Sequence, residues 1–128
     1  MIVDLFAGMG GWDVGARRLG LDPVGIELDD FACRTRSATG LRTIRADLTR
    51  PLFRKAKVSG LIASPPCTDW SVAGKRAQRK GATGHLVDVP LRWAMVYKPE
   101  WIVLEQVPTV LGVWESHGEK LRRLGYSV

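Results

Sequence analysis

Asp4-Leu5-Phe6-Ala7-Gly8-Met9-Gly10-Gly11 joins an apolar run to a stretch with helical spacing. Met1 to Phe6, interrupted by Asp4, reads as a first buried strand, and Trp12 to Leu19 repeats its apolar positions as an amphipathic helix does. Gly20 closes that helix. A strand, a glycine turn and a helix form the phosphate- or cofactor-binding turn of a doubly wound α/β fold. The glycines admit a ligand close to the backbone, and the helix amino terminus faces it.

The pattern continues outward from this turn. A second strand is expected over Pro23 to Leu28, with Glu27 at its end and Asp29 or Asp30 capping a helix over Phe31 to Ala38. An acidic residue about 20 positions beyond such a glycine turn commonly accepts hydrogen bonds from a ribose diol, and Glu27 occupies that place. A third strand covers about Arg42 to Ala46, followed by Asp47, and Pro51 to Lys57 reads as a basic, weakly structured connection. Strand four, Val58 to Ala63, stops at Pro65 and Pro66, which cannot continue a central strand; Cys67 comes next. Ser71 to Gly84 is a polar, glycine-rich and cationic loop, of a length that suits a functional lid or disorder. Leu86 to Tyr97 reads as a helix with Asp88 as its cap, Pro90 in its first turn, and Leu91, Ala94 and Met95 on one face. Trp101 to Leu104 is the fifth strand and leads to Glu105; a helix over Glu115 to Leu124 and the start of a sixth strand at Tyr126 to Val128 complete the chain. Strands alternating with helices imply a mostly parallel sheet with right-handed crossovers. Glu27, Asp47, Cys67 and Glu105 then all fall at carboxyl ends of strands, where such sheets bind ligands.

Composition narrows the partner. The 128 residues are expected to form one domain, with a formal charge of +6 and a pI near 9.8. That excess suits an acidic partner, nucleic acid first, although a merely basic surface is the plain alternative. Two cysteines make neither a disulfide framework nor a metal set, and a reducing cytoplasm is the simpler home for a free thiol. No signal peptide and no membrane span is expected.

Cys67 has the setting of a working nucleophile: a rigid turn before it and a cationic loop after it. Cys33, on an apolar helix face, reads instead as a small buried hydrophobe. Glu105, from the neighbouring strand, can serve as an acid or hydrogen-bond partner at the same substrate, or can form an edge ion pair with Arg92 or Lys98.

These residues carry a resemblance. Asp4 to Gly11 resembles the first motif of the DNA cytosine-5 methyltransferases. Pro66-Cys67, with Ser71 and Gly74-Lys75, resembles their catalytic motif, and Glu105-Gln106-Val107 resembles their Glu-Asn-Val motif. Order and spacing agree, and the similarity extends over essentially the whole chain. It implies a Rossmann-like S-adenosylmethionine-dependent methyltransferase fold over residues 1–128. By this resemblance Asp4, Phe6, Ala7, Gly8, Met9, Gly10 and Gly11 would cradle S-adenosylmethionine. Glu27 would hold the ribose, Leu28 and Leu48 would flank the adenine, Asp47 would bond its amino group, and Pro66 and Leu86 would border the pocket. Cys67 would attack C6 of a cytosine flipped out of duplex DNA, and Glu105 would stabilise the base at N3. Ser71, Lys75, Arg76, Arg79 and Lys80 would lie on phosphates, giving affinity but no choice of sequence. No metal is implied.

Two departures stand out. Gln106 replaces an asparagine that normally braces the active site, and the family's arginine-bearing motif, target recognition domain and carboxy-terminal helix have no counterpart here. The expectation is an amino-terminal part of a longer enzyme or one half of a split one, with a carboxy-terminal half as partner. Two rivals remain: an amino-methyltransferase acting on adenine N6 or cytosine N4, suggested by Ser64-Pro65-Pro66 but with Cys67 where that group stacks an aromatic ring, and a non-catalytic remnant that binds cofactor or DNA.

Overall fold

A computed structural model of the chain describes residues 1–50, 52, 56–71 and 77–128. Five strands alternate with four helices: β1 (Ile2–Leu5), α1 (Gly11–Arg18), β2 (Val24–Glu27), α2 (Asp30–Ala38), β3 (Thr43–Arg45), β4 (Gly60–Ala63), α3 (Val89–Tyr97), β5 (Trp101–Leu104) and α4 (Leu111–Arg123). Short 3-10 turns occupy Gln78–Lys80, Gly84–Asp88 and Pro108–Val110. The strands pair in the order β3-β2-β1-β4-β5, every pair parallel. The order reverses between β1 and β4, the switch point at which open α/β sheets place their ligands.

Several expectations need correction. Tyr126 to Val128 forms no sixth strand: the Tyr126 ring packs on the core and its hydroxyl donates to the Pro99 carbonyl at 2.5 Å, which holds this segment off the sheet. The last helix begins at Leu111, because the 3-10 turn started by Pro108 runs directly into it. Leu86 to Tyr97 is divided, with a 3-10 turn up to Asp88 and regular helix from Val89. Asp88 stands at the cap position without capping; its Oδ1 lies 3.0 Å from Nε2 of buried His117 on α4. Met95 faces solvent, whereas Val89, Leu91, Trp93 and Ala94 are buried. The cap of α2 is Asp29, which accepts from Ala32 N at 2.8 Å.

Side chains alternate across a strand, and β1 shows what each face contains. Val3 and Leu5 join Ile26, Leu61 and Ala63 in a hydrocarbon layer completed by Val89, Trp93 and Ala94 of α3 and Leu121 of α4. Fully burying each of the larger side chains contributes about 1.5–3 kcal/mol. Asp4 points to the other face, toward α1 and α2, where the filling is polar. Arg36, wholly buried, donates from Nη1 to Asp13 Oδ2 at 2.9 Å and to the Ala7 carbonyl at 3.3 Å. Its Nε reaches Thr43 Oγ1 at 3.0 Å and its Nη2 the Arg42 carbonyl at 3.2 Å. Gly25 makes room for it, since a Cβ there would stand 1.8 Å from Nη2. One guanidinium thus fastens α2, β3, the start of α1 and the glycine turn together.

Asp4 completes this cluster as a neutral acid. Both its oxygens and Oδ1 of Asp13 are sealed from solvent and meet no N–H or O–H donor among the described residues. A proton on Asp4 supplies the missing donor. Burial first, then the hydrogen bond and charge of Asp13, push the Asp4 carboxyl up to about 8; Glu27 adds to this and Arg36 opposes it. The folded chain therefore holds a proton that the unfolded chain releases above its ordinary value of 3.8. The contribution of Asp4 to stability should fall as pH rises from 3.8 to about 8 and level off beyond it. Thermal melts across this range check the point: Asp4→Asn, which donates at every pH, should flatten the slope.

Candidate functional site

The carboxyl ends of the strands lie in one row, because Leu5 is in register with Ile26 and Ala63, and Ala63 with Leu104. Residues just past that row share one edge of the sheet. Phe6 leaves β1 with φ 59°, a left-handed conformation costly for an aromatic residue, followed by Gly8 at φ 51° and Gly10 at φ 100°. Such a conformation persists only when its surroundings fix it, and Glu27 does so from the end of β2. Its Oε2 accepts Gly8 N at 2.8 Å, while Oε1 accepts Leu28 N at 2.7 Å and Asp29 N at 2.8 Å. A carboxylate offers about four acceptor positions, so Glu27 holds the turn and keeps capacity for a ligand hydroxyl.

A cleft of about 720 Å3 opens beside this turn, within the size range of nucleotide and cofactor sites. Phe6, Ile26, Leu28, Ala46, Leu48, Pro66 and Leu86 supply its apolar lining. Glu27, Asp29, Asp30 and Asp47 supply carboxylates, and Arg45, Thr49, Thr83 and His85 complete it. Arg45 is engaged with Asp30 at 2.7 Å. The side-chain and backbone hydrogen bonds of Thr49 hold the Asp47 carboxyl below its usual range. Both bonds fall on Oδ1, at 2.7 and 2.9 Å, so Oδ2 remains an acceptor among the described residues. A cleft with apolar walls and a surplus of carboxylates suits a cationic nucleoside: Glu27 could accept from ribose hydroxyls and Asp47 from an exocyclic amine. A second, almost wholly apolar groove of about 320 Å3 runs along α3 past Trp93 and Tyr97, and no carboxylate or thiol lines it.

Cys67 follows Pro66 of the cleft wall and is exposed. The turn that presents it is tightly fixed. The Cys67 carbonyl accepts Trp70 N at 2.9 Å and Ser71 N at 2.8 Å. Trp70 is buried with Val87 and Val110 in a small second core, and Thr109 Oγ1 donates to the Trp70 carbonyl at 2.6 Å. Trp12 Nε1 donates to Ser64 Oγ at 2.8 Å. From the end of β5, Gln106 Nε2 donates to the Pro65 carbonyl at 2.6 Å, and its Oε1 accepts Val107 N at 2.7 Å. Glu105 is bound through its backbone N to the Ala63 carbonyl at 3.0 Å, which sets it beside the same strand end. Its side chain is exposed and makes no ion pair with Arg92 or Lys98 among the described residues.

The expected site residues divide accordingly. Phe6, Glu27, Leu28, Asp47, Leu48, Pro66 and Leu86 line the cleft; Ala7, Gly8, Met9, Gly10 and Gly11 form the turn at its edge. Asp4 belongs elsewhere, in the buried cluster beneath that turn, where no ligand reaches it. Cys33 is half-buried, its sulfur 3.6 Å from the Glu27 carbonyl oxygen, and burial pushes its thiol up, with the Glu27 charge adding. Ser71 is half-buried and Lys80 exposed. Lys75, Arg76 and the Arg79 side chain lie outside the described residues, as do Gly74 and most of 51–55. Asp29, Asp30, Arg45, Thr49, Thr83 and His85 line the cleft although no sequence motif marks them as ligand-binding. Position is their only signal, at or near the end of a strand or of the glycine-rich loop. Among the described residues no helix is long and apolar enough to cross a membrane, and no three His, Cys, Asp or Glu side chains gather to hold a metal ion.

All 128 residues match the family described as C-5 cytosine-specific DNA methylase. The chain belongs to that family. Type II methyltransferase M.DdeI of Desulfomicrobium norvegicum is 32% identical to this family member over 143 aligned positions, covering 99% of the chain and 34% of the relative. Type II methyltransferase M.AquIA of Picosynechococcus sp. is 32% identical over 135, covering 96% of the chain and 54% of the relative. The chain thus spans about a third to a half of the length of these relatives. Among solved structures, a Spodoptera frugiperda DNMT2 mutant superposes with a TM-score of 0.64 at 18% identity, covering 92% of this chain and 40% of that one. A Pyrococcus abyssi tRNA (uracil-54, C5)-methyltransferase in complex with S-adenosyl-L-homocysteine gives 0.57 at 17%, covering 90% and 26%. Both show the methyltransferase fold. In this chain Gln106 stands where the family motif has asparagine, and its longer side chain still spans from the β5 end to the Pro-Pro turn. Gln106→Ala should strip the Pro65 carbonyl of that donor and cost about 1 kcal/mol, measurable by urea denaturation. An unchanged midpoint would show that the brace contributes nothing.

Proposed function

We propose that residues 1–128 form the S-adenosylmethionine-binding, nucleophile-bearing part of an enzyme that methylates C5 of cytosine in DNA. The observation that carries this reading is the placement of an exposed thiol, Cys67, directly after a residue lining an acid-rich nucleoside-sized cleft, with Glu105 at the end of the adjacent strand.

The chemistry assigned to each residue is what the family resemblance implies, and that placement supports it. S-adenosylmethionine supplies the methyl group: Glu27 holds the ribose hydroxyls, Asp47 the adenine amine, and Phe6, Leu28, Leu48 and Leu86 the apolar faces. The target base has to leave the duplex, since neither its edge nor its face is reachable in the stack. The Cys67 thiolate adds to C6 of the cytosine, and electron density moves onto C5 while Glu105 stabilises N3. With donor bound, C5 would take the methyl group as S-adenosylhomocysteine is released; loss of the C5 proton to solvent would then re-form the C5–C6 double bond and break the C6–S bond, returning the thiolate. Lys80 and the neighbouring cations Lys75, Arg76 and Arg79 are assigned to phosphates, with Ser71 beside them; they contribute salt-dependent affinity and no sequence choice. Target recognition is assigned to a further part of the enzyme, in the same polypeptide or in a separate one. A reducing cytoplasm suits the free thiol.

Two measurements test the assignment. By titration calorimetry with S-adenosylhomocysteine, Glu27→Ala should weaken binding at least about tenfold, the equivalent of one or two charge-assisted hydrogen bonds. Cys67→Ser should leave it unchanged. With a recognition part supplied, a duplex containing 5-fluorocytosine should be trapped covalently at Cys67 in the presence of methyl donor. Product at an exocyclic nitrogen without an adduct would establish an amino-methyltransferase instead, and donor binding without any turnover would leave a binding module.

A further inference from the structure

Asp69 is two residues past the thiol and only 4% exposed, yet it does not line the cleft. Burying a carboxylate is costly unless donors compensate. Here Oδ2 accepts both Thr83 N at 2.7 Å and Thr83 Oγ1 at 2.6 Å. The approach depends on Gly81: a Cβ at that position would stand 2.1 Å from the Asp69 carboxyl carbon. The Asp69 carbonyl in turn accepts Gln78 N at 2.8 Å, with Gln78 held at φ 50°. Trp70 Nε1 adds a bond to the Gly84 carbonyl at 3.3 Å. On one side, then, Asp69 belongs to the rigid turn closed on the Cys67 carbonyl. On the other it holds Thr83, which lines the cleft together with His85 and Leu86.

We infer that Asp69 is a positioning residue that fixes the wall of the methyl-donor cleft, Thr83 to Leu86, in register with the turn that presents Cys67. Methyl transfer needs the attacked base and the donor within near-attack distance, where an error of about 1 Å is costly. The thiol and the donor pocket come from opposite ends of a long loop, and the Asp69–Thr83 bonds connect those ends without passing through the loop's intervening residues. The role given to the cleft rests on the methyl-donor reading above; the link between the two segments does not.

The test is a double-mutant cycle, Asp69→Ala with Thr83→Val, read on S-adenosylhomocysteine affinity and on amide hydrogen exchange. Asp69→Ala should weaken affinity about tenfold, the loss expected for hydrogen bonds to a charged group; Thr83→Val, which removes the hydroxyl bond and keeps the backbone one, should weaken it less, and the double substitution should weaken it no further than Asp69→Ala alone. Asp69→Asn, which keeps an acceptor without the charge, should fall between wild type and Asp69→Ala, and it carries the cycle if the alanine variant does not fold. Exchange should rise together at Trp70 and Ser71 and at Thr83 to Leu86, while β1 and β4 stay protected. Unchanged affinity in Asp69→Ala, additive losses, or exchange rising in one segment alone would overturn the inference. If the wild-type chain bound no S-adenosylhomocysteine, the methyl-donor reading would fall, and the exchange pattern would decide the link by itself.

Discussion

The in-register parallel pairing of β2, β1, β4 and β5 is the constraint on which the site depends. Leu5, Ile26, Ala63 and Leu104 stand side by side, so the residues next in sequence after each of them emerge at the same edge. Phe6 with the glycine turn, Glu27, the Pro-Pro-Cys turn and Glu105 are brought together in this way. A slip of one residue in any pair would turn that strand's side chains to the opposite face and carry its functional residue away from the others. The hydrogen bonds of Glu27 to Gly8 N and of Gln106 to the Pro65 carbonyl tie neighbouring strand ends together above this row.

The two faces of the sheet perform different tasks. Hydrocarbon fills the layer between the sheet and α3 and α4. The layer under α1 and α2 is organised around Arg36, which reaches the Ala7 carbonyl and Asp13 and so fixes the glycine turn from below. A buried guanidinium is costly to build, but it offers directed bonds where hydrocarbon offers none, and a turn with Phe6 at positive φ needs directed support. Trp70, Val87 and Val110 do the same for the Cys67 turn through a separate small core.

Much of the fold and of the ligand edge was legible from the residues. Alternation of apolar runs with helical spacing located all five strands and the parallel sheet, and acidic or thiol residues directly after those runs marked the ligand edge. Side-chain reach could not be read. Arg36 looks like any surface cation on an amphipathic helix; only the absence of a Cβ at Gly25 lets it pass inward. Asp4 reads as part of a cofactor motif, yet strand alternation turns it away from the cleft. Thr83 and His85 lie far along the chain from Glu27, and only the path of the loop brings them to it. Asp88 has the sequence position of a helix cap, but a buried histidine from α4 takes its carboxylate.

The position of the methyl donor relative to Cys67 decides whether this site can carry out the proposed chemistry. A crystal structure of the chain with S-adenosylhomocysteine measures this directly. The predicted result is ribose density on Glu27, the adenine between Leu28 and Leu48 near Asp47, and the sulfur end directed toward the Pro66–Cys67 turn. Density in the apolar groove along α3, or a ligand in the cleft with its sulfur end turned away from Cys67, would contradict it.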